Sequence, residues 1–228
     1  MVVGNGLMAK TFSEYNSDDS VVVFASGVSN SIETKASSFK REFQLLQDTI
    51  TQFPKSTLVY FSTCSIDDDT VKDRPYVKHK EELEHYIQAE AKNYLIFRIS
   101  NVVGRQGNDN TIMNYLVNAV KNNFEISLWK NAERNLIDAD DVKSIVDDVL
   151  QSNTVNQIIN VATRESLLVG DIIAQIEKYL GIEAVVNTID QGNSITINTT
   201  KISESLDKIE LVKGSGLQYI FNLLKKYY

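Results

Sequence analysis

Short apolar runs rich in β-branched residues alternate along this chain with longer stretches that have helical periodicity. A short apolar run between polar turns is typical of a buried parallel strand, and apolar residues three and four apart indicate one face of a helix. The runs predict strands at Met1–Val3, Val21–Phe24, Leu58–Ser62, Tyr94–Phe97, Ile126–Trp129 and Gln157–Val161. The periodic stretches predict helices at Leu7–Tyr15, Ser31–Phe53, Pro75–Ala91, Asn110–Asn122, Ala139–Gln151, Ser166–Leu180, Thr199–Leu206 and Gly214–Tyr227. This alternation indicates an α/β fold with a doubly wound parallel sheet.

A glycine-containing turn follows the first predicted strand. Residues Gly4 to Ala9 read GNGLMA, a G-x-G-x-x-A pattern that opens the helix beginning at Leu7. Glycines at such a turn let the backbone approach a pyrophosphate, and the helix N-terminus offers free N–H groups. An ordinary strand-to-helix turn can have the same pattern, but the strand before it and the helix after it favour a dinucleotide site.

The segment after this helix departs from a complete dinucleotide fold. Such a fold supplies a second strand with Asp or Glu at its end about 20 residues further on. Here the polar turn Asn16–Ser20 is followed at once by the strand Val21–Phe24, which runs into Ala25, Ser26 and Gly27 without a carboxylate. We therefore expect one or two early strand–helix units to be missing. Reduced cofactor affinity, an adenine held by other residues and a decayed cofactor site all stay open.

The strand at Leu58–Ser62 leads to the strongest candidate chemistry. It ends in hydroxyl residues, and Tyr76 and Lys80 follow on one helix face behind Pro75, a residue that a first helical turn tolerates. A phenol with a pKa near ~10 is a poor acid or base at neutral pH, and a nearby ammonium lowers that pKa. Thr63 is expected to orient the substrate oxygen. The alternative for the bare spacing is an exposed tyrosine beside a solvated lysine.

Three other features are expected to have no part in the chemistry: one apolar helix face, the histidines and the cysteine. The helix at Ser31–Phe53 has an apolar face with charges opposite, made by Phe39, Phe43, Leu45, Leu46 and Ile50. Two histidines, His79 and His85, lie in the charged Tyr/Lys helix and are expected to be solvated, so no metal site is predicted. The single cysteine, Cys64, is expected to be a small core residue rather than a nucleophile.

Composition limits the class of protein. At 228 residues, one domain is the default, and 43% hydrophobic with 23% charged residues is ordinary for a soluble globular chain. The net charge of −7 argues against nucleic acid and against an anionic membrane surface as partners. A single cysteine and the lack of a signal layout in MVVGNGLMAK lead us to expect a cytoplasmic protein.

The motifs in their order resemble the extended short-chain dehydrogenase/reductases, the NAD-dependent epimerase/dehydratase group that acts on nucleotide sugars. The segments that carry the resemblance are GNGLMA, FASG, FSTCSI, YVKHK, FRISNVVG, RNLIDADDV and NTTKISESL. The resemblance covers nearly the whole chain apart from the missing early units. It implies a single Rossmann-like domain with a core at about residues 1–160 and a small, partly C-terminal substrate-binding lobe at about 105–135 and 161–228.

The resemblance also implies residue roles. Tyr76 would be the acid/base on the sugar oxygen, Thr63 would bond the same oxygen, and Lys80 would lower the tyrosine pKa and bond the nicotinamide ribose. Arg134 would pair with the substrate diphosphate; its alternative is a surface arginine near Asp138. The implied cofactor-binding residues are Gly4, Gly6, Leu7, Met8, Ala25, Ser26, Gly27, Lys80, Ile99 and Asn101, and the implied substrate-binding residues are Asn101 and Arg134.

The function implied is an NAD- or NADP-dependent reductase or epimerase of a nucleotide sugar, for surface polysaccharide synthesis. Family members that dehydrate carry Asp-Glu after the active-site threonine, whereas this chain has Cys64 and Ser65, so elimination of water is disfavoured. Two alternatives are a degenerate relative that binds nucleotide or nucleotide sugar without redox turnover, and a non-catalytic interaction module. The family often pairs through the Tyr/Lys helix, which allows a homodimer.

Overall fold

The secondary structure follows the predicted alternation of strands and helices. The computed structural model describes residues 1–105 and 111–228. The strands are β1 (Val2–Val3), β2 (Val21–Phe24), β3 (Thr57–Thr63), β4 (Tyr94–Ile99), β5 (Asn101–Val103), β6 (Ile126–Trp129), β7 (Glu133–Arg134), β8 (Leu136–Asp138), β9 (Gln157–Val161), β10 (Leu167–Leu168) and β11 (Val186–Ile189). The α-helices are α1 (Leu7–Thr11), α2 (Ala36–Gln52), α3 (Pro75–Glu90), α4 (Ile112–Lys121), α5 (Ala139–Gln151), α6 (Val169–Leu180), α7 (Ser203–Lys213) and α8 (Gly216–Tyr227). Short 3-10 helices lie at Ser13–Ser17, Cys64–Asp67 and Thr200–Ile202.

The chain divides into two compact units. The first contains Met1–Ser100 and Lys143–Val161, and the second contains Asn101–Val142 and Ala162–Tyr228. The first unit holds the five-stranded sheet, and the described residues of the second form three two-stranded sheets. Each unit is described below by itself.

The sheet of the first unit is entirely parallel. Its strand order is β1-β2-β3-β4-β9, and its register places Phe24 opposite Tyr60, Tyr60 opposite Ile96 and Ile96 opposite Ile158. Every residue of β2 is buried, as expected for a strand covered on both faces. The predicted α/β fold class is confirmed.

The early part of the sheet lacks the strands that a complete dinucleotide fold places there. Between α1 and β2 the chain forms only the 3-10 helix Ser13–Ser17 and a turn, and β1 pairs directly with β2, with Val2 opposite Val23. Within residues 1–105 and 111–228, no strand pairs with the other side of β1. The expected loss of early strand–helix units is therefore confirmed.

The two faces of this sheet are covered by different helices. On one face, Leu46 of α2 and Leu83 and Ile87 of α3 pack with Leu58 and Tyr60 of β3, all nearly inaccessible to solvent. On the other face, the ring of Phe12, just after α1, lies 5.1 Å from the ring of Phe61. Side chains alternate across β3, so Tyr60 and Phe61 belong to opposite faces. This alternation places the Tyr60 hydroxyl beside α2 and α3.

The second unit is built from short strand pairs and helices. Strand β5 pairs with β8, β6 pairs with β11, and β7 pairs with β10 in the one antiparallel arrangement among the described residues. Helix α8 buries its apolar stripe of Tyr219, Ile220, Leu223 and Leu224. Helix α6 packs against α8 and buries Ile172, Ile173 and Ile176.

Several element boundaries differ from the predicted ones for local reasons. Helix α2 begins at Ala36 instead of Ser31, because the Glu33 carboxylate accepts hydrogen bonds from the N–H groups of Thr34 and Lys35 and holds them in a turn. Strand β11 was not predicted, because it is almost wholly exposed and has no burial pattern to detect. The predicted start of a helix at Asn110 lies outside the described residues.

Candidate active site

Helix α3 places Tyr76 and Lys80 on one inward face. Pro75 occupies its first turn, where the missing N–H of proline costs no hydrogen bond. The side chains of Tyr76 and Lys80 are only 8% and 3% exposed. The Lys80 ammonium lies 5.9 Å from the centre of the Tyr76 ring. The alternative of an exposed tyrosine beside a solvated lysine is therefore wrong.

Thr63 is the residue of β3 that meets Tyr76. It is the last residue of the strand, and its Oγ1 accepts a hydrogen bond of 3.1 Å from the N–H of Ser65 at the start of the following 3-10 helix. The Thr63 hydroxyl lies near enough to the Tyr76 phenol to lower its pKa. The structure thus brings Thr63, Tyr76 and Lys80 together, and their catalytic roles stay a prediction.

Burial dominates the acidity of Tyr76. Removal of the phenol from water raises its pKa above the ordinary value of 10.0, because an anion is costly in an apolar environment. The Lys80 ammonium lowers this pKa, the Glu42 carboxylate raises it, and the Thr63 hydroxyl lowers it. The net direction is upward, so the phenol keeps its proton at neutral pH.

The Lys80 ammonium is fully engaged by protein acceptors. It donates to Glu42 Oε1 at 2.8 Å and to the Tyr60 hydroxyl at 3.0 Å, and it lies 3.4 Å from the carbonyl oxygen of Phe61. An ammonium has three N–H donors, so these three contacts account for all of them. A bond from Lys80 to a ribose hydroxyl requires one of the contacts to be exchanged, and the Phe61 carbonyl is the longest.

Glu42 is the buried partner of Lys80, and the sequence prediction did not include it. Its carboxylate is inaccessible to solvent and accepts a hydrogen bond of 2.7 Å from the N–H of Val28 and another from the Tyr60 hydroxyl. The His79 ring nitrogen lies 3.2 Å from its Oε2. Burial raises the pKa of Glu42, but the Lys80 ammonium and the hydrogen bonds outweigh burial and lower the pKa to about 2.

Two sequence predictions for these helices are corrected here. His79 is buried, stacked on Phe39 at 4.6 Å between ring centres, and paired with Glu42, so it is not solvated. The charges of α2 are not all opposite its apolar face, because Glu42 follows Phe39 by three residues and precedes Leu46 by four. A carboxylate at those spacings lies on the apolar face, and this is the signal that would have identified it.

The glycine turn lies against the residues that follow β2. Gly4 has φ of +132°, and a Cβ there would lie 2.4 Å from the carbonyl oxygen of Ala25 and 3.0 Å from the nitrogen of Ser26. A Cβ at Gly27 would lie 2.8 Å from both Glu42 Oε1 and Lys80 Nζ. Contacts therefore run without interruption from the glycine turn, through Ala25, Ser26 and Gly27, to Lys80.

The turn has room for a ligand at Gly6. A Cβ at Gly6 would meet no atom within 4 Å, so the backbone there is open, as a pyrophosphate cradle requires. Leu7 and Met8 form the first turn of α1, which has only five residues and is followed by a 3-10 helix rather than continuing to Tyr15. Ile99 is buried at the end of β4, in register with Thr63. These residues fit the diphosphate and nicotinamide parts of a dinucleotide, whereas the described residues offer no carboxylate after a second strand for the adenosine ribose.

Arg98 and Cys64 hold the end of β3 in place. Arg98 forms a two-pronged ion pair with Glu84 of α3 at 2.8 Å and donates to Asp67 of the 3-10 helix at 2.8 Å. The Cys64 thiol donates to the carbonyl oxygen of Arg98, and burial raises its pKa to about 12. Since only a thiolate is a strong nucleophile, this cysteine suits a core position.

The predicted substrate residues both belong to the second unit. Asn101 begins β5, where its N–H and its side-chain amide both donate to the carbonyl oxygen of Asn135. Arg134 lies half-buried in β7 and donates to the carbonyl oxygen of Glu133 at 2.7 Å. Their roles toward a substrate stay predictions.

The comparisons with known proteins come from sequence and from structure. A sequence model described as the NAD dependent epimerase/dehydratase family matches residues 4–162. The chain belongs to this family. The match runs from the glycine turn through the Tyr76–Lys80 pair to the end of β9. Comparison of this family member with curated proteins gives no match.

Solved structures similar to this epimerase/dehydratase family member include nucleotide-sugar enzymes in complex with NAD. dTDP-glucose 4,6-dehydratase from Bacillus anthracis aligns with a TM-score of 0.71 and 17% identity over 98% of this chain and 79% of that chain. UDP-glucuronic acid 4-epimerase from Bacillus cereus aligns with a TM-score of 0.71 and 20% identity over 95% and 76% of the two chains. UDP-glucose 4-epimerase from Thermus thermophilus aligns with a TM-score of 0.66 and 15% identity over 96% and 80%. At these identities the likeness shows the fold.

The part of the chain that the structure describes shows neither a metal-binding cluster nor a helix that could span a membrane. Among residues 1–105 and 111–228, no three His, Cys, Asp or Glu side chains lie together in a way that could hold a metal ion. No helix in the described part of the chain combines the length and the apolar character needed to cross a bilayer.

Proposed function

We propose that this protein is an NAD(P)-dependent reductase or epimerase that acts on a nucleotide sugar. One observation carries the proposal: the glycine turn, the Ala25–Gly27 segment, Lys80, Tyr76 and Thr63 form a continuous series of contacts in one unit. Membership of an NAD-dependent family supports the choice of cofactor. The similar solved structures hold NAD, and some also hold nucleotide sugars such as UDP-glucuronic acid.

The chain offers residues for the two reactive ends of the cofactor. The open backbone at Gly6 would hold the pyrophosphate, and the half-buried residues Ala25 and Ser26 would lie along the dinucleotide. Lys80 would bond the nicotinamide ribose after it gives up its long contact with the Phe61 carbonyl oxygen. When bound, the nicotinamide supplies or accepts a hydride, which is the part of the chemistry that protein side chains cannot perform.

The side chains would handle the proton. Thr63 Oγ1 already accepts the N–H of Ser65, so its hydroxyl hydrogen is left for Tyr76 or for a substrate oxygen. Tyr76 would exchange a proton with that oxygen as the hydride moves. Elimination of water is not proposed, because a buried thiol of raised pKa follows Thr63 where dehydrating enzymes are expected to have an acid. Asn101 and Arg134 are proposed to contact the sugar and its diphosphate.

A second candidate is a protein that binds a nucleotide or nucleotide sugar without redox turnover. Two observations favour it: protein acceptors already occupy Lys80, and the described chain has no strand on the outer side of β1, where the adenosine half of the cofactor is expected. A role in surface polysaccharide synthesis, a cytoplasmic location and a homodimer stay predictions.

Calorimetric titration with NADH and NADPH, followed by turnover of a 4-keto nucleotide sugar, tests the proposal. We expect binding by both the wild type and Tyr76→Phe, and turnover about 10²–10⁴-fold slower in Tyr76→Phe, the range for loss of a general acid. Tyr86→Phe is the matched control, since Tyr86 lies on the same helix and packs on Phe43. Absence of binding at millimolar nucleotide would overturn the proposal. Binding without turnover would establish the second candidate instead.

A further inference from the structure

Glu42 is a buried charged group for which the proton chemistry above has no role. Its carboxylate accepts four donors, and they come from three different parts of the first unit. Oε1 accepts from Lys80 and Tyr60, and Oε2 accepts from the N–H of Val28 and lies against His79. A carboxylate with four partners is fixed in position, and so are the groups bonded to it.

This arrangement changes what Lys80 can do to Tyr76. A free ammonium beside a phenol favours the phenolate, but here a carboxylate lies 2.8 Å from the ammonium. Both charges are almost wholly removed from water, at 0% and 3% exposure, so solvent screens neither. The Glu42 carboxylate therefore opposes the effect of the ammonium on Tyr76, because Lys80 lowers the pKa of the phenol and Glu42 raises it.

We propose that Glu42 is a positioning residue that neutralises Lys80, keeps the Tyr76 phenol protonated and so adapts the site to reduction of a keto sugar rather than oxidation of a sugar hydroxyl. The inference rests on the proposed function, and it selects one of the two reactions left there. Epimerisation begins with oxidation, which needs Tyr76 to accept a proton first. Reduction needs Tyr76 only to give one.

The reduction balances with the groups named. A bound reduced nicotinamide would supply the hydride for a new C–H bond at the substrate carbon, and the C=O π electron pair would form an O–H bond with the Tyr76 proton. The substrate is reduced, the nicotinamide is oxidised, and the Tyr76 phenolate takes a proton from water afterwards. Only the hydride transfer would need a reductant, and a reduced nicotinamide, the cofactor of this NAD-dependent family, would supply it.

The surroundings of Tyr76 agree with this assignment. Burial raises the pKa of Tyr76, Lys80 lowers it and Glu42 raises it. Other charged or titratable groups on the packed elements are Tyr60 of β3, itself buried with its pKa raised well above normal, and His79 of α3, which lies against Glu42. The 3-10 helix adds Cys64, a buried thiol, and Asp67, whose carboxylate pairs with Arg98. Tyr76 also belongs to an apolar cluster with Val28, Val77, Phe39, Ile66 and Val71.

Tyrosine titration by NMR, with ¹³Cζ-labelled tyrosine and no cofactor, tests the inference directly. Tyr76→Phe identifies the signal. In the wild type we expect the Tyr76 midpoint above 10.0, the ordinary tyrosine value. In Glu42→Gln we expect the midpoint to fall by about one pH unit or more, because the uncompensated Lys80 charge now acts on the phenol at about 6 Å. Glu84→Gln is the control, since Glu84 is equally buried but pairs with Arg98.

A double variant keeps the test decisive if Glu42→Gln does not fold. Glu42→Gln with Lys80→Met removes both charges, and a buried pair replaced by neutral groups is often tolerated. If the pair is neutral toward Tyr76, its midpoint in the double variant stays within about half a unit of the wild type. A midpoint at or below 10.0 in the wild type, no change in folded Glu42→Gln, or a rise of a full unit in the double variant would each overturn the inference.

The pH dependence of turnover tests the same inference through activity. The rate of reduction by the wild type is expected to stay constant until the pH approaches the Tyr76 midpoint. In Glu42→Gln the rate should begin to decline at a pH at least about one unit lower. Because the titration contains no cofactor, a normal NMR result with no turnover would reject the proposed function alone. Turnover with an unshifted titration would reject the role of Glu42 alone.

Discussion

Each unit of the protein contains a buried carboxylate surrounded by lysine and tyrosine, and the two clusters differ in the position of the cation. In the first unit, Glu42 pairs with Lys80, which is itself 3% exposed. In the second unit, Asp138 is as deeply buried but pairs with Lys213 and Lys226, which are 27% and 35% exposed. One cation is sealed inside the protein, and the others reach in from the solvent.

The Asp138 cluster joins helices, whereas the Glu42 cluster fixes the position of one buried cation. Asp138 accepts the N–H of Asp140 and so caps helix α5, while Lys226 and Tyr227 fix the end of α8 to the same carboxylate. Lysines at the surface can return to water at little cost, so this cluster joins helices without restricting its cations. Lys80 has no such exit, and its position is set by Glu42.

Removal of one lysine from each cluster should give the largest difference in the free energy of unfolding. Lys80→Met should lower the free energy of unfolding by about 3–5 kcal/mol, because it leaves Glu42 buried without a counter-ion. Lys226→Met should cost less than about 1 kcal/mol, because Lys213 and Tyr227 still contact Asp138 and the lysine is partly exposed. Urea unfolding at pH 7 measures both, and equal costs would show that the clusters do not differ as described.

The stability that Glu42 provides should depend on pH in the acid range. Its pKa is lowered from 4.5 to about 2, so the stabilisation it provides is fully present above pH 4.5 and is lost as pH falls toward 2. At pH 7 the wild type should exceed Glu42→Gln by about 3 kcal/mol in unfolding free energy, the value of a shift of this size. The gap should narrow steadily below pH 4.5 in parallel urea titrations. A gap that stays constant down to pH 3 would contradict the assigned pKa.

Replacement of Arg98 or Arg164 by lysine should give the smallest difference in stability between the two units. Arg98→Lys should cost about 1–3 kcal/mol, because Arg98 is largely buried and lysine cannot reproduce its two-pronged pairing with Glu84 while also reaching Asp67. Arg164→Lys, in the second unit, should cost less than about 1 kcal/mol, since the Asp207 partner is mostly exposed. Thermal unfolding of the two variants provides the measurement. A larger cost at Arg164 would reverse the ranking of buried and exposed pairs.

Much of the fold followed from local pattern. Strands β2, β6 and β9 and helix α5 have the predicted boundaries, because a buried strand needs a continuous apolar run and an amphipathic helix needs a regular stripe. The missing early unit was also predictable, because too few residues separate Leu7 from Val21 to hold a further strand and helix. Exposed β11 escaped prediction because its residues show no contrast between a buried and a solvated face.

The candidate site was predictable only in part. The spacing of Tyr76 and Lys80 behind Pro75 placed both on one face of α3, since the helical repeat alone fixes that geometry. Their burial, and the side chains that surround them, depend on which helices pack together. The spacing of Glu42 along α2 marks it as facing the apolar side, but Glu42 and His79 are far apart in sequence, so no local pattern predicted that they would contact each other.

The sequence by itself therefore determined the order of the elements, the truncated early sheet and the side chains proposed to carry the proton chemistry, because each depends on residues close together in the chain. Only the tertiary structure decided which charged groups surround Tyr76 and how far each is buried. Packing α2 against α3 brought Glu42 to Lys80 and removed both from water, and electrostatic energy depends on distance and burial, which a sequence does not state.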